Sequence, residues 1–289
     1  MARNKTDSSF EKMGVFEFGE ALLKTGDLDP LYIMLHESGI PLSVKKRFLL
    51  AYSCYYHVGA ACYIAEKRST FHERMREADD KHFPRSAERR HFRGGTADYV
   101  INFLKETYPR PEDAVDFLVG EEGDRSFKAV TGRVRSWKYF GPWIAFKWAD
   151  LIDRVLEIPI DFSECHLDIY DAPKQGAKLV AESLGRPNAS VASVVRHMEK
   201  KFSHHTAAPY HDRPVNVQEM ETILCKWKSH GNQHYPIGND IHEIRYGLMD
   251  SKGLLGKGTK GWGDLADQLL ACVPKECIDP KHIKKEKKK

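Results

Sequence analysis

Hydrophobic residues recur at intervals of three and four along most of the chain, which is the period of one face of an α-helix. Short runs of alternating hydrophobic and polar residues, typical of half-buried strands, are few. Prolines fall at or near the ends of the periodic segments, where a proline ends a helix. The pattern therefore predicts an all-α protein. Apart from two helices considered next, the predicted helices cover 15–24, 28–38, 43–67, 70–80, 95–107, 111–118, 174–184, 190–202 and 264–272.

Two helices in the second half of the chain have the clearest boundaries. Gly141-Pro142 opens the first, because proline suits the first helical turn, where no backbone N–H is needed, and Pro159 closes it. Its apolar residues lie on one face, and its charged residues, from Lys147 to Glu157, lie on the other. The pattern predicts an amphipathic helix whose charges are opposite its buried face.

The second of these helices follows Asn216, a predicted N-cap with Glu219 as its capping-box partner, and Gly231 supplies the stop. The stretch 231–261 is rich in glycine and is predicted to be a loop. In contrast, the segment 43–67 is nearly uncharged in its middle. That composition predicts a central helix buried on most sides.

The composition supports a folded chain but does not by itself indicate a ligand. Hydrophobic residues make up 41% and aromatic residues 11% of the 289 residues, which is enough for a sizeable core. The formal net charge is only +4, and part of it lies in the tail Lys281–Lys289. Nucleic-acid binding can therefore be argued only from local clusters of charge. The six cysteines are scattered without a CxxC pair, as in a reduced intracellular protein.

No internal repeat or long linker divides the chain. We expect an N-terminal extension over 1–24, a helical domain over 25–275 with candidate halves 25–135 and 136–275, and a basic tail over 276–289. The N-terminus lacks the apolar core of a signal peptide. No stretch of about 18 apolar residues is present either. A soluble, cytoplasmic protein without a membrane partner is therefore expected.

The segment 137–147 contains the most informative candidate site. A glycine turn that enters a helix at Gly141 exposes backbone N–H groups, which favour a phosphate. Lys138 and Lys147 flank this turn. The alternative is an ordinary helix start with aromatic core anchors.

A second candidate is the basic cluster in the run RSAERRHFRGG. Arg89, Arg90 and Arg93 precede the pair Gly94-Gly95, an arrangement that suits a loop tracking a phosphate backbone. The alternative, a solvated charged face, is the commoner fate of such a composition.

Candidate acids and metal ligands lie further along the chain. Asp161, Asp168 and Asp171 follow the glycine turn by about twenty to thirty residues. Asp161 has the setting most comparable to the catalytic aspartate of helix-hairpin-helix DNA glycosylases, although an aspartate in such a loop is more often a helix cap. Cys225, His230 and His234 have a zinc-like spacing, but a fourth ligand is not obvious, so no metal is predicted. The motifs of phosphate loops, serine hydrolases, zinc proteases and dinucleotide-binding folds are missing from the sequence.

Several segments together carry a resemblance to a known family. They are TGDLDPLYIML (25–35), RFLLAYSCYYHVGAA (47–61), ERRHFRG (88–94), FGPWIAFKWADLIDRVLEIPIDF (140–162) and DRPVNVQEMETILCKWKSHGNQHYPIGNDIHEIR (212–245). The combination resembles the amino acid:DNA transferases of bacteriophage thymidine hypermodification, which are related to the alpha-glutamyl/putrescinyl thymine pyrophosphorylases. The resemblance covers about residues 25 to 245. It implies the helical fold of the helix-hairpin-helix DNA glycosylases.

The resemblance also implies a specific reaction on double-stranded DNA. The substrate base is 5-hydroxymethyluracil whose hydroxyl a separate DNA base kinase has phosphorylated. The transferase replaces the phosphate or pyrophosphate with the amine of a free amino acid, for which glycine is the expected donor. The modified phage genome then resists host restriction enzymes. No cofactor is expected.

This chemistry assigns hypothetical roles to residues. A carboxylate, Asp161 or Glu221, would take a proton from the incoming ammonium, because only the neutral amine attacks. Lys226 would hold the carboxylate of the amino acid, and Tyr56 or Trp143 would stack on a base flipped out of the duplex. The DNA and phosphate contacts would come from Arg89, Arg90, Arg93, Lys138, Gly141 and Lys147.

Two other functions are compatible with the same residues. A base-excision glycosylase would share the fold and the aspartate but would cleave the N-glycosidic bond and leave abasic sites. A non-catalytic DNA-binding module would show a steep salt dependence of affinity and no chemical change in the bases.

Overall fold

The computed structural model describes residues 13–232, 234–256 and 261–283. The regular elements in these ranges are helices, and the β-type contacts are isolated bridges. The predicted all-α class is therefore confirmed for the described part of the chain, whereas the helix-hairpin-helix glycosylase fold stays a prediction. The α-helices are α1 (Val15–Thr25), α2 (Pro30–Glu37), α3 (Leu42–Tyr55), α4 (Val58–Ala65), α5 (Phe71–Asp80), α6 (Gly95–Thr107), α7 (Pro111–Val119), α8 (Phe127–Ser136), α9 (Pro142–Arg154), α10 (Asp171–Ser183), α11 (Val191–Phe202), α12 (Val217–Gly231), α13 (Asn239–Met249) and α14 (Asp264–Leu270).

The chain forms two compact units that interleave along the sequence. The first unit comprises Met1–Pro30, Cys165–Glu243 and Pro274–Lys289, and the second comprises Leu31–Glu164 and Ile244–Val273. The domain limits expected from the sequence, including the halves 25–135 and 136–275, stay a prediction. Within the described ranges, no helix combines the length and the apolar character needed to cross a membrane.

Helix α12 is central to the first unit. α10 packs along it, and α1 and α11 also contact it. The predicted capping box is confirmed: the Asn216 side chain accepts from the Gln218 N–H at 2.9 Å, and the Glu219 carboxylate accepts from the Asn216 N–H at 2.8 Å. Because the cap fixes where the helix begins, it also fixes which residues of α12 face the core.

Helix α3 is central to the second unit. Every residue from Arg47 to Tyr55 is buried, and the helix contacts α4, α7 and α9. α8 and α9 pack against each other and are joined by the turn 137–141. Pro142 stands in the first turn of α9 behind the N-cap Gly141, as predicted.

Three elements differ from the sequence prediction. The predicted helix 43–67 is broken into α3 and α4, because Tyr56 adopts a left-handed backbone with φ 49° and His57 caps α4. The glycine-rich stretch 231–261 is not all loop, since it contains α13, whose buried residues Ile241, Ile244 and Leu248 recur at helical spacing. α8 was not predicted.

The close approach of α10 and α12 depends on Gly176. A Cβ at this position would lie 2.2 Å from the carbonyl oxygen of Leu224, which is backbone and cannot swing aside. Only a residue without a side chain fits between the two helices here.

We expect Gly176→Ala to lower the free energy of unfolding by about 1–3 kcal/mol, because overpacking outweighs the roughly 1 kcal/mol that alanine gains over glycine in a helix. Gly132→Ala in α8 is the matched control, since nothing lies within 4 Å of a Cβ at that position. The control should leave stability unchanged or raise it. Urea denaturation measures both variants, and equal stabilities would contradict the close helix contact.

Candidate functional site

Helix α9 carries a row of charged residues that is buried. Lys147, Asp150 and Arg154 follow one another at intervals of three and four, so they lie on one side of the helix, and all three are buried. The expectation that the charges of this helix lie opposite its buried face is wrong for these three residues. Since burying a charge is costly unless it is paired, a buried row of charges is unusual, and this row is the candidate active site.

Asp150 is the most enclosed member of the row, with none of its surface exposed. Its Oδ2 atom accepts a hydrogen bond of 2.6 Å from the hydroxyl of Tyr32 on α2. Its Oδ1 atom lies 3.6 Å from Nη1 of Arg154, whose guanidinium in turn stands 4.7 Å from the centre of the Tyr32 ring. The three side chains therefore hold one another, and the carboxylate has a fixed orientation inside the second unit.

An aromatic pair stands at the start of the row. The rings of Tyr56 and Trp143 meet edge to face at 4.9 Å between centroids, and Tyr52 lies 4.4 Å from Tyr56. Both members of the pair are half-buried. Trp143 precedes Lys147 by one helical turn, so it lies on the same side of α9 as the charged row. The two residues predicted to stack on a base are thus brought into contact.

A second group of predicted residues forms an exposed basic surface, which consists of Arg90, Arg93 and Lys138. The Lys138 ammonium stands 4.7 Å from the centre of the Tyr99 ring, and Tyr99 is itself exposed. Gly141 is also exposed, at the N-terminus of α9. Exposed cations with aromatic rings beside a helix N-terminus are the groups that contact nucleic-acid backbones.

Arg89 occupies a different position from its neighbours. It is buried, and its guanidinium donates to the carbonyl oxygens of Cys54 and Tyr139, each at 3.2 Å. It thereby ties the end of α3 and the loop before α6 to the turn 137–141. This arrangement makes Arg89 a residue that positions the basic surface, whereas its predicted direct contact with phosphate stays a prediction.

Asp161, one of the two predicted bases, lies on the surface of the second unit. Its carboxylate accepts from the Ser163 N–H at 2.9 Å and from the Ser163 hydroxyl at 3.0 Å, and these bonds lower the pKa of Asp161. Its carbonyl oxygen accepts from the Phe127 N–H at the start of α8. These contacts are those of an aspartate that fixes its own loop, and the role of Asp161 as a base stays a prediction.

The other predicted base, Glu221, belongs to the first unit. It is buried on α12, and the Cys225 thiol donates to its carboxylate at 3.2 Å. The spacing that joined Cys225, His230 and His234 in a zinc-like pattern does not produce a shared site, because their ligand atoms do not converge in the described part of the chain. His230 Nδ1 faces the carbonyl oxygen of Tyr235 at 2.9 Å. The role of Glu221 as a base stays a prediction.

Lys226, predicted to bind the amino acid's carboxylate, is also buried on α12. Its ammonium donates to the carbonyl oxygens of Asp27 and Leu28 and forms an ion pair of 2.8 Å with Asp240. These acceptors match the three N–H donors of an ammonium group. A substrate carboxylate would have to displace one of them, so the predicted role stays a prediction.

A cluster that the sequence did not reveal surrounds Asp27 in the first unit. The fully buried carboxylate accepts from the Tyr235 hydroxyl at 3.0 Å and from the N–H groups of Gly238 and Ile241 at 2.7 and 3.0 Å. Burial raises the pKa of Asp27 to about 6, against the attraction of the nearby Lys226 ammonium. The one available signal was an aspartate placed directly after the glycine that ends α1.

Comparisons with known proteins agree on one family. Residues 21–234 match the family model described as amino acid:DNA transferase. The chain is 39% identical to a glycinyltransferase of Pseudomonas phage PaMx11 over 274 residues, which cover 85% of this chain and 91% of the relative. It is 29% identical to a putrescinyltransferase of Delftia phage PhiW-14 over 272 residues, which cover 89% of this chain and 82% of that relative.

The raised pKa of Asp27 predicts a specific pH dependence of stability. A folded pKa of about 6 lies above the ordinary value of 3.8, so the folded chain keeps a proton that the unfolded chain releases. The free energy of unfolding should therefore fall as pH rises from about 4 to about 6, on the order of 1–3 kcal/mol from this group.

Urea denaturation across this pH range, with Asp27→Asn beside the wild type, measures that contribution. In Asp27→Asn, we expect the free energy of unfolding to decrease less between pH 4 and pH 6 than in the wild type. Asp168→Asn, at an exposed position of the same unit, should show the same decrease as the wild type. Parallel pH profiles for the wild type and Asp27→Asn would show that burial does not raise this pKa.

Proposed function

The chain belongs to the amino acid:DNA transferase family, and from this premise we propose that it joins glycine, through its amine, to phosphorylated 5-hydroxymethyluracil in double-stranded phage DNA. The enzyme is a transferase. In this proposal a DNA base kinase supplies the phosphorylated base, and the hypermodified DNA is protected from restriction enzymes of the host. The observation that carries the proposal is the buried charged row of α9, which begins at the aromatic pair.

The reaction requires a site that holds the base outside the duplex, accepts a proton and stabilises the leaving group. The amine nitrogen forms a bond to the methylene carbon on C5 of the base, while the bond from that carbon to the phosphate oxygen breaks and the phosphate or pyrophosphate leaves with both electrons. The incoming ammonium must first give a proton to a base. Cationic groups must also stabilise the charge that develops on the leaving oxygen.

The row on α9, together with Tyr56 beside it, offers groups for each requirement. Tyr56 and Trp143 provide aromatic faces for a base that has left the duplex. Lys147, one turn further along α9, provides a cation for the leaving phosphate. Asp150, oriented by Tyr32 and Arg154, is the better placed carboxylate to accept the proton than Asp161, because its position is fixed in an enclosed site. Asp161 and Glu221 remain the bases proposed from the sequence.

The basic surface lies next to this row along the chain. Lys138 and Gly141 belong to the turn that leads directly into α9, and Trp143 follows two residues later. Contacts from Arg90, Arg93 and Lys138 to the DNA backbone would therefore place the duplex beside the aromatic pair. The Arg89 hydrogen bond to Tyr139 keeps the two parts of this surface together.

Two relatives of this chain are named for different amine donors. The relative named a glycinyltransferase is 39% identical and the one named a putrescinyltransferase is 29% identical, which supports glycine for this chain. Glycine carries a carboxylate and putrescine does not. A site for glycine therefore needs a cation that binds this carboxylate, whereas a site for putrescine does not.

The direct test is mass spectrometry of nucleosides from DNA that carries phosphorylated 5-hydroxymethyluracil, after incubation with the protein and glycine, putrescine or another amino acid. We expect a nucleoside heavier by one glycyl group with glycine alone. Release of free base with abasic DNA would identify a glycosylase instead. Unchanged DNA with every amine would leave a binding module as the better description.

The same assay tests the proton acceptor. We expect Asp150→Asn to slow glycine transfer by roughly 10²–10⁴-fold, the usual contribution of a general base, while Asp80→Asn, at an exposed position of the same unit, keeps the wild-type rate. Circular dichroism checks that both variants fold. Full activity of Asp150→Asn, with loss of activity in Asp161→Asn or Glu221→Gln, would move the base to one of those residues.

DNA binding is tested by the salt dependence of affinity. Replacing Arg90, Arg93 or Lys138 singly by alanine should reduce the slope of log affinity against log salt by about 0.9 for each phosphate that the protein ceases to neutralise. Lys105→Ala removes an exposed lysine of α6 that is paired with Glu73, and it should leave the slope unchanged. Unchanged slopes in all three test variants would exclude this surface as the DNA-binding surface.

A further inference from the structure

Glu20 and two consecutive histidines meet on the surface of the first unit. Glu20 lies on α1, and His204 and His205 follow the end of α11. His204 Nε2 is 3.0 Å and His205 Nε2 is 2.9 Å from the same carboxylate oxygen, Glu20 Oε1. These atoms all lie within 4.8 Å of one another, and no other three His, Cys, Asp or Glu side chains of the described residues converge in this way.

The two histidines differ in how they contact Glu20, and hydrogen bonds alone do not account for this cluster. His204 Nε2 has the geometry of a hydrogen bond to Glu20. His205 Nε2 is equally close to the carboxylate, but this atom is buried and has no hydrogen-bond partner among the described residues. The His205 nitrogen is therefore close to the carboxylate without the alignment of a hydrogen bond, and an ion shared with Glu20 Oε1 would supply the partner that a buried polar atom needs.

We propose that Glu20, His204 and His205 bind a divalent transition-metal ion, for which Zn²⁺ is the best fit. Imidazole nitrogen with one carboxylate oxygen suits zinc, whereas magnesium and calcium prefer oxygen ligands throughout. Metal–ligand distances of about 2.0–2.2 Å in a tetrahedron separate neighbouring ligand atoms by roughly 3.3 Å. The observed separations from Oε1, 2.9 and 3.0 Å, are close to that value.

The surroundings fit a three-ligand site with an open fourth position. Lys24 pairs with the other carboxylate oxygen, Glu20 Oε2, at 3.1 Å, so Oε1 is left to bind the metal alone. Such a contact to the remaining oxygen orients a ligand in the way that outer partners of metal sites do. The His204 side chain is 62% exposed, so water can occupy the fourth position.

Metal binding here would join two distant parts of the chain. Glu20 and His204 are 184 residues apart, and an ion between them would fasten α1 to the segment after α11. The site does not depend on the proposed transferase reaction. Its ligands come from two segments far apart along the chain, which is why the spacing of histidines in the sequence did not reveal it.

The test uses the tag-free, full-length protein, stripped of metal with a chelator. We expect isothermal titration calorimetry with Zn²⁺ to show one equivalent bound, and thermal denaturation to show a higher melting temperature with Zn²⁺. His205→Ala and His204→Ala should each weaken binding by about 100-fold or more, since each removes one ligand. His166→Ala, which removes an exposed histidine of the same unit, should bind as the wild type does.

Co²⁺ gives a second readout that does not require any variant. The wild-type protein loaded with Co²⁺ should show the visible absorption bands of a tetrahedral site, and Zn²⁺ should displace them. Absence of a stoichiometric wild-type site, or equal Zn²⁺ affinity in the wild type and His204→Ala, would overturn the proposal and leave Glu20 and the histidines as an ion-pair cluster.

Discussion

The packing of α2 against α9 in the second unit depends on the buried carboxylate of Asp150. A carboxylate without exposed surface is tolerated only when donors and opposite charge replace the water it has lost. Tyr32 supplies the hydroxyl and Arg154 the cation, so α2 and α9 are held in one arrangement by a single polar centre. The same constraint sets the rotation of α9 about its axis. With Asp150 turned inwards, Lys147 and Trp143 necessarily share its side of the helix.

The turn before α9 depends on a second buried charge. Arg89 donates to two backbone carbonyls that belong to separate segments, and its guanidinium lies 4.9 Å from the centre of the Phe140 ring. A buried arginine of this kind fixes the positions of these segments, since its planar guanidinium donates to several acceptors at once. The backbone that carries the exposed cations Arg90, Arg93 and Lys138 is therefore fixed, although each of these side chains is flexible.

The sequence was informative where structure is local. The capping box at Asn216 and the proline in the first turn of α9 each depend on residues close together in the chain, and both were predicted. The break at Tyr56 was not, because its left-handed backbone is disfavoured by about 1–2 kcal/mol for a side chain of this kind and is offset by ring contacts with Tyr52 and Trp143. The burial of Asp150 was missed for a similar reason, since its partner Tyr32 lies 118 residues away.

The interleaved units have a consequence for the order in which the protein folds during synthesis. α1 leaves the ribosome early, but its partner α12 ends at Gly231, and at about 5–20 residues per second the wait lasts roughly 10–40 s. Meanwhile most of the second unit, Leu31–Glu164, is complete and free to collapse on its own contacts. For that interval the apolar face of α1, with Phe18 and Leu22, has none of its final neighbours on α12 to cover it. During that interval, α1 is therefore the described helix most exposed to aggregation and chaperone capture.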